Sequence, residues 1–384
     1  MNLNHTTIPR KSSSRVRRRF LSHITFFVIL TLGFGAIKLL GQTNKDQKTY
    51  LQKISVKPPH KKPVIVVIGE NKYTELTDFI VPYGVLKRAN IAEVYAVAPN
   101  KGKMEMFPSL SIEITTSIED FDTLHPEGAD LVIVPAIHNM ENKTIIQWIQ
   151  KQNKLSASIA GICDGVWTLA HAGLLKDKKA TGHWYSIPEL TKSFPDTDWI
   201  KNKRYLQDKN IITTSGVTAS IPFSLALVES IGGEKKAMEI GNELGVSHWD
   251  STHDSEKFHL GWKQYLTAAK NLIAFWSYET IGIFIYDGID EISLALVADA
   301  YSRTYKSKAV TISSSQVTVI TKSGIQFVSD SQENLSNQVQ NLKEIPKNTK
   351  ASQELIDTLS EIERRYGMLT KQFVAMQLEF SIQQ

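Results

Sequence analysis

Short runs of β-branched and aliphatic residues recur along the first two thirds of the chain. VIVVIGE (64–70), EVYAVAP (93–99), DLVIVPA (130–136), SASIAGI (156–162) and NIITTSG (210–216) have the unbroken apolar character of strands buried on both faces of a parallel sheet. Segments of helical character separate them: FIVPYGVLKRA (79–89), TIIQWIQKQN (144–153), VWTLAHAGLL (166–175) and PFSLALVESIGG (222–233), the last with a glycine stop. SLSIEITT (109–116) reads as a strand or hairpin. Alternation of this kind predicts an α/β fold with a doubly wound, mostly parallel sheet. In such folds a site lies at the carboxyl ends of the strands.

The pattern differs before residue 63. FLSHITFFVILTLGFGAIKLLG (20–41) is a continuous apolar stretch preceded by Arg10, Lys11, Arg15, Arg17, Arg18 and Arg19. It reads as a transmembrane signal-anchor, since roughly 17–21 apolar residues reach across a bilayer. A cleaved signal peptide is the competing reading, with Gly33-Phe34-Gly35 as the nearest small-x-small site. A signal-anchor implies a single-pass membrane protein with residues 1–19 as a basic cytoplasmic tail and the main domain extracytoplasmic. Residues 42–62, lysine-rich and broken by Pro58-Pro59, read as a linker. The formal net charge is +5, and those six basic residues leave −1 for the rest, so no nucleic-acid partner is expected.

Cys163 is the only cysteine. It lies one residue past a predicted strand and just before a predicted helix, where amide dipoles favour a thiolate. A tight strand-to-helix turn of this kind is a nucleophile elbow, with Gly165 relieving crowding. A buried structural cysteine is the equal alternative on pattern alone. His248, His253 and His259, with Asp250 and Asp254, have the wrong spacing for one helical face, and no metal is expected there.

Three segments, GICDGVWTLAHAGLLKDKKATGHW (161–184), IITTSGVTASIPFSLALVESIGG (211–233) and LTDFIVPYGVL (76–86), resemble the DJ-1/PfpI superfamily, with its class I glutamine amidotransferase-like fold. The resemblance spans about residues 63–255 and is nearest to the branch of isocyanide hydratases and of amidase-like sensor domains in AraC-type regulators. It implies a flavodoxin-like domain in which Cys163 is the nucleophile. Asp78, four residues before Pro82, would be the acid that bonds the thiol, and His183 of TGHW would line the pocket with Trp184. Without the resemblance, Asp78 reads as a helix N-cap. Two departures stand out. Asp164 occupies the place of the histidine of peptidase-like members, and an anion there raises the thiol pKa. Ala136, Ile137 and His138 replace the glycine pair that often supplies oxyanion amides, leaving that task to whatever backbone N–H groups face the site. The resemblance implies hydratase, amidase or glyoxalase-like chemistry on a small molecule, without a cofactor and not that of a typical peptidase. The alternative is a non-catalytic ligand- or redox-sensing or scaffold protein.

After a connecting helix (256–278), ETIGIFIYDGIDEISLALVADAYS (279–302) follows the order of VIVVIGENKYTELTDFIVPYGVL (64–86): apolar strand, acidic turn, apolar helix. KAVTIS (308–313) and QVTVITKSGIQFVSD (316–330) extend the likeness, so 279–330 reads as a degenerate partial repeat with Ser293 or Leu294 opposite Asp78. Residues 331–384 read as a linker and one long amphipathic helix. Its Leu355, Leu359, Ile362, Tyr366, Leu369, Phe373, Met376 and Phe380 either pack on the chain itself or form the seam of a homo-oligomer. The α/β domain is the other surface through which copies would associate.

Overall fold

The computed structural model describes residues 51–259, 261–314, 317–332, 339 and 341–381. Its central sheet has seven strands, in the order Tyr205–Asp208, Ile211–Thr214, Ser158–Gly161, Leu131–Val134, Val64–Ile68, Glu93–Ala98 and Thr116–Ser117. All neighbours run parallel except Tyr205–Asp208, which is antiparallel to Ile211–Thr214. Because side chains alternate along a strand, Ile65 and Val67 enter one core with the helices Leu76–Ala89 and Ser220–Gly232. Val64, Val66 and Ile68 enter a second core with Lys143–Lys154 and Gly165–His171. Burial on both faces is why these strands carry unbroken apolar runs.

Strands outside the predicted set include Lys72–Glu75 and Tyr205–Asp208. Both are short and largely polar, so no apolar run marks them. The first runs directly into the helix Leu76–Ala89 and makes Glu75 its N-cap. Reading Asp78 as the cap is therefore corrected: Asp78 is the third helical residue and is fully buried.

The membrane placement is also corrected. Among the described residues no helix is long and apolar enough to cross a membrane. The segment 20–41, on which the signal-anchor and the single-pass localisation rested, lies outside the described residues.

Downstream, Glu279–Phe284 and Ser307–Ser313 pair in parallel within a four-stranded sheet, with the helix Glu291–Ser302 between them in sequence. The hairpin Thr318–Ile320/Gln326–Val328 joins Gly102–Phe107, Ser111–Ile114 and Lys72–Glu75 in a five-stranded sheet. The C-terminal region is two helices, Ala351–Tyr366 and Met368–Gln377, because Gly367 takes φ 89° between them. Leu355, Leu359, Ile362, Phe373 and Met376 are buried against this same chain, and the first helix packs on Glu291–Ser302.

Candidate functional site

The strand Ser158–Gly161 ends in a reverse turn in which Gly165 N–H donates to the Ile162 carbonyl at 2.7 Å. Cys163 sits at its apex with φ 53°, a left-handed conformation that costs a non-glycine residue about 1–2 kcal/mol. Two features hold it there. The Cys163 N–H donates to Thr214 Oγ1 on the neighbouring strand at 3.2 Å. Gly165 packs so tightly that a Cβ would lie 2.1 Å from the Val134 carbonyl oxygen. The turn thus wedges between two strand ends, which is what an elbow requires.

Beside it lies a buried group of carboxyl side chains. Asp78 Oδ2 accepts the Ala136 N–H at 3.2 Å, while Asp78 Oδ1 is buried with no hydrogen-bond partner among the described residues. Glu75 Oε2 accepts the Asp78 N–H at 2.6 Å, and Glu75 Oε1 accepts from Arg303 Nη2 at 2.6 Å. Arg303 Nε donates to Asp299 Oδ1 at 2.6 Å. Burial and the nearby Asp299 push Glu75 up to about 8 against the pull of Arg303. Burial, with Glu75 beside it, holds Asp78 well above the usual carboxylate range, so this carboxyl group holds its proton more tightly than an exposed one.

The thiol follows the same logic. Burial first, then the charges of Asp78, Asp164 and Glu75, push Cys163 well above its ordinary value. The expected thiolate at a helix N-terminus is corrected. The helix Gly165–His171 spans only seven residues, and its N-cap is Asp164, an anion that makes no side-chain cap bond. Burial and the surrounding carboxyl groups outweigh so short a dipole.

Both features open onto one cavity of about 500 Å³. Among the residues singled out from sequence, Cys163, Asp164, Ala136, Ile137, His183 and Trp184 line it, as does His138. Asp78 lies behind the wall and Gly165 beneath the turn. The Ala136 N–H is spent on Asp78 and does not serve as an oxyanion donor. His183 Nδ1 accepts the Tyr185 N–H at 3.3 Å.

The rest of the wall comes from segments that sequence reasoning left out of the site. Glu75 and Arg303 stand on one side; Tyr265, Phe373, Met376 and Gln377 close the other. Glu379 anchors this closure: its carboxylate accepts the Trp184 N–H at 3.0 Å and the Gly216 N–H at 2.6 Å, with His253 Nε2 at 3.3 Å. Burial works to raise Glu379, but His253, His183 and these amides hold it down to about 2. The signal for Glu75 was its place three residues before Asp78; no local signal in the sequence connects Arg303 or Glu379 to Cys163.

The DJ-1/PfpI family profile matches residues 62–230. Among curated proteins the chain is similar to an isonitrile hydratase of Pseudomonas putida, 28% identical over 173 residues, 44% of this chain and 72% of that protein. It is also similar to the HTH-type transcriptional regulator CdhR of Pseudomonas aeruginosa, 28% identical over 116 residues, 30% of this chain and 34% of that one. Protein DJ-1 homolog A of Arabidopsis thaliana is 27% identical over 184 residues, 46% of this chain and 44% of that one. Among solved structures, Drosophila melanogaster DJ-1beta superposes with a TM-score of 0.44 at 23% identity, over 49% of this chain and 100% of that one.

Proposed function

Residues 62–230 form a DJ-1/PfpI family domain, and from that premise we propose that the chain is a cysteine-dependent hydratase of small uncharged electrophiles, with isonitriles as the leading substrate class. The observation that carries this reading is the buried, unpartnered Asp78 Oδ1, on a carboxyl group that, like the neighbouring thiol, burial pushes toward its protonated form. Such a pair is unsuited to peptide cleavage, which relies on a thiolate and a histidine base. It suits an isonitrile, whose terminal carbon takes both a nucleophile and a proton.

In the proposed sequence Cys163 Sγ bonds to that carbon, and the proton lost by sulfur is returned to the same carbon through Asp78, giving a thioimidate. Water adds to the carbon, the nitrogen gains a proton, and the C–S bond breaks. An N-substituted formamide and the free thiol result, so the net change is addition of one water. The cavity's aromatic wall of Tyr265, Trp184 and Phe373 accommodates an apolar substituent.

The test is formamide production from an aryl isonitrile by the full chain, followed chromatographically. Turnover lost in both Cys163→Ser and Asp78→Asn supports the proposal; turnover surviving in Cys163→Ser, or absent from the wild type, overturns it. One observation favours a second reading, ligand sensing without turnover: the C-terminal helix carries Phe373 and Met376 into the wall, so occupancy would be felt there. Saturable quenching of tryptophan fluorescence with no product would support that reading. Redox sensing is disfavoured because oxidation acts on a thiolate, and burial pushes the pKa of this thiol up.

A further inference from the structure

The α/β unit that begins at Glu279 repeats the first at a fixed spacing. Glu75 caps its helix by accepting the Asp78 N–H, and Asp290 caps Glu291–Ser302 by accepting the Ser293 N–H at 2.9 Å. Thirteen residues beyond each cap stands an arginine, Arg88 and Arg303. The offset of 215 that carries Glu75 to Asp290 and Arg88 to Arg303 also carries Val64–Ile68 onto Glu279–Phe284. It likewise brings Glu93–Ala98 onto Ser307–Ser313 and Thr116–Ser117 onto Ser331–Gln332.

Ile112 and Phe327 are equivalent by the same offset, and they face each other where the two hairpins pair antiparallel. Equivalent residues meeting in this way mark a local two-fold axis. The ion pairs obey it. Arg88 makes two bonds of 3.0 Å to the cap Asp290, and Arg303 reaches across to the cap Glu75 at 2.6 Å. The halves differ where chemistry would occur: the counterpart of Asp78 is Ser293, and the likeness ends before any counterpart of Cys163.

We propose that residues 279–332 act as a built-in partner subunit, and that Arg303 is the positioning residue it contributes to the Cys163 pocket. Arg303 lines the cavity, yet it lies outside the family domain, so the pocket is incomplete without the second unit. One edge of the guanidinium is fixed by Asp299 and another holds Glu75, whose second oxygen takes the Asp78 N–H. A single buried cation thus orients the cap that orients the acid. It also sets a buried positive charge near the thiol.

This assignment does not depend on turnover, and the local symmetry supplies its own control. Arg88 makes the equivalent contact at the end without a cysteine. The measurement is the alkylation rate of the lone cysteine of the full chain by iodoacetamide between pH 7 and 9, in Arg303→Gln and Arg88→Gln. Removal of the cation beside the thiol raises its pKa, so R303Q is expected to react about tenfold more slowly, one pKa unit in effect, while R88Q stays within about twofold of wild type. Equal rates in the two variants would overturn the proposal, because a purely structural ion pair would behave alike at both ends. If R303Q does not fold, Arg303→Lys and Arg88→Lys take their place. Slower alkylation in R303K than in R88K supports the assignment, and parity refutes it.

Discussion

Replacing Asp78 by asparagine separates the role of this carboxyl group in chemistry from its cost to the fold. The side chain is fully buried, one oxygen is bonded to Ala136 N–H, and the other has no partner among the described residues. Its pKa in the folded state stands well above the usual carboxylate range, through burial and then Glu75. The sign follows from linkage. An acid whose folded pKa exceeds its unfolded value of about 3.9 binds more proton when folded, so stability falls as pH rises between the two values. The slope for one such group is about 1.4 kcal/mol per pH unit. D78N removes that term. Urea unfolding at pH 5.0, 5.5 and 6.0 is then expected to show the wild type losing stability relative to D78N by about 1.4 kcal/mol per unit. Below about pH 3.9 the relative change vanishes. Parallel pH dependences for the two proteins from pH 5 to 6 would refute the reasoning, because Asp78 would then be ionised in the fold.

Further expectations follow from the same geometry. Gly165→Ala drives a Cβ to 2.1 Å from the Val134 carbonyl and is expected to lower stability by roughly 3 kcal/mol or more, read as a fall in urea midpoint. Glu379, held at about 2, stabilises the fold above its unfolded value near 4.5, and that stability is lost as pH falls through the interval between them. Glu379→Gln is therefore expected to flatten acid unfolding between pH 4.5 and 2, a difference of about 3 kcal/mol, and to speed amide exchange at Trp184 and Gly216. Thr214→Val removes the acceptor of the Cys163 N–H and is expected to cost about 1–3 kcal/mol and to broaden the Cys163 amide resonance.

Legibility from sequence followed contact range. Strands such as Val64–Ile68 and Leu131–Val134 are buried on both faces, so their apolar runs announce them. The elbow was legible because strand, turn and helix lie within a dozen residues of Cys163. The acid cluster was only half legible: Asp78 belongs to a local pattern, whereas the Glu75–Arg303 pair joins residues 228 apart. Helix Trp262–Ile273 inverts the usual pattern, burying Thr267 and Asn271 while Trp262 and Leu266 are exposed, so periodicity does not mark it as the pocket wall to which it contributes Tyr265. The thiolate expectation failed for an electrostatic reason, since a short helix dipole was set against burial first and then carboxyl groups drawn from distant regions of the chain.

The central claim is that a protonated Cys163 and a neutral Asp78 deliver sulfur and a proton to one substrate carbon. Rapid-quench intact mass spectrometry of the full chain with an aryl isonitrile tests it most directly. The account predicts a transient gain equal to one isonitrile on the peptide containing Cys163, decaying as formamide appears, and no gain in D78N. Formamide released with no adduct on Cys163, or an adduct forming equally fast in D78N, would contradict it.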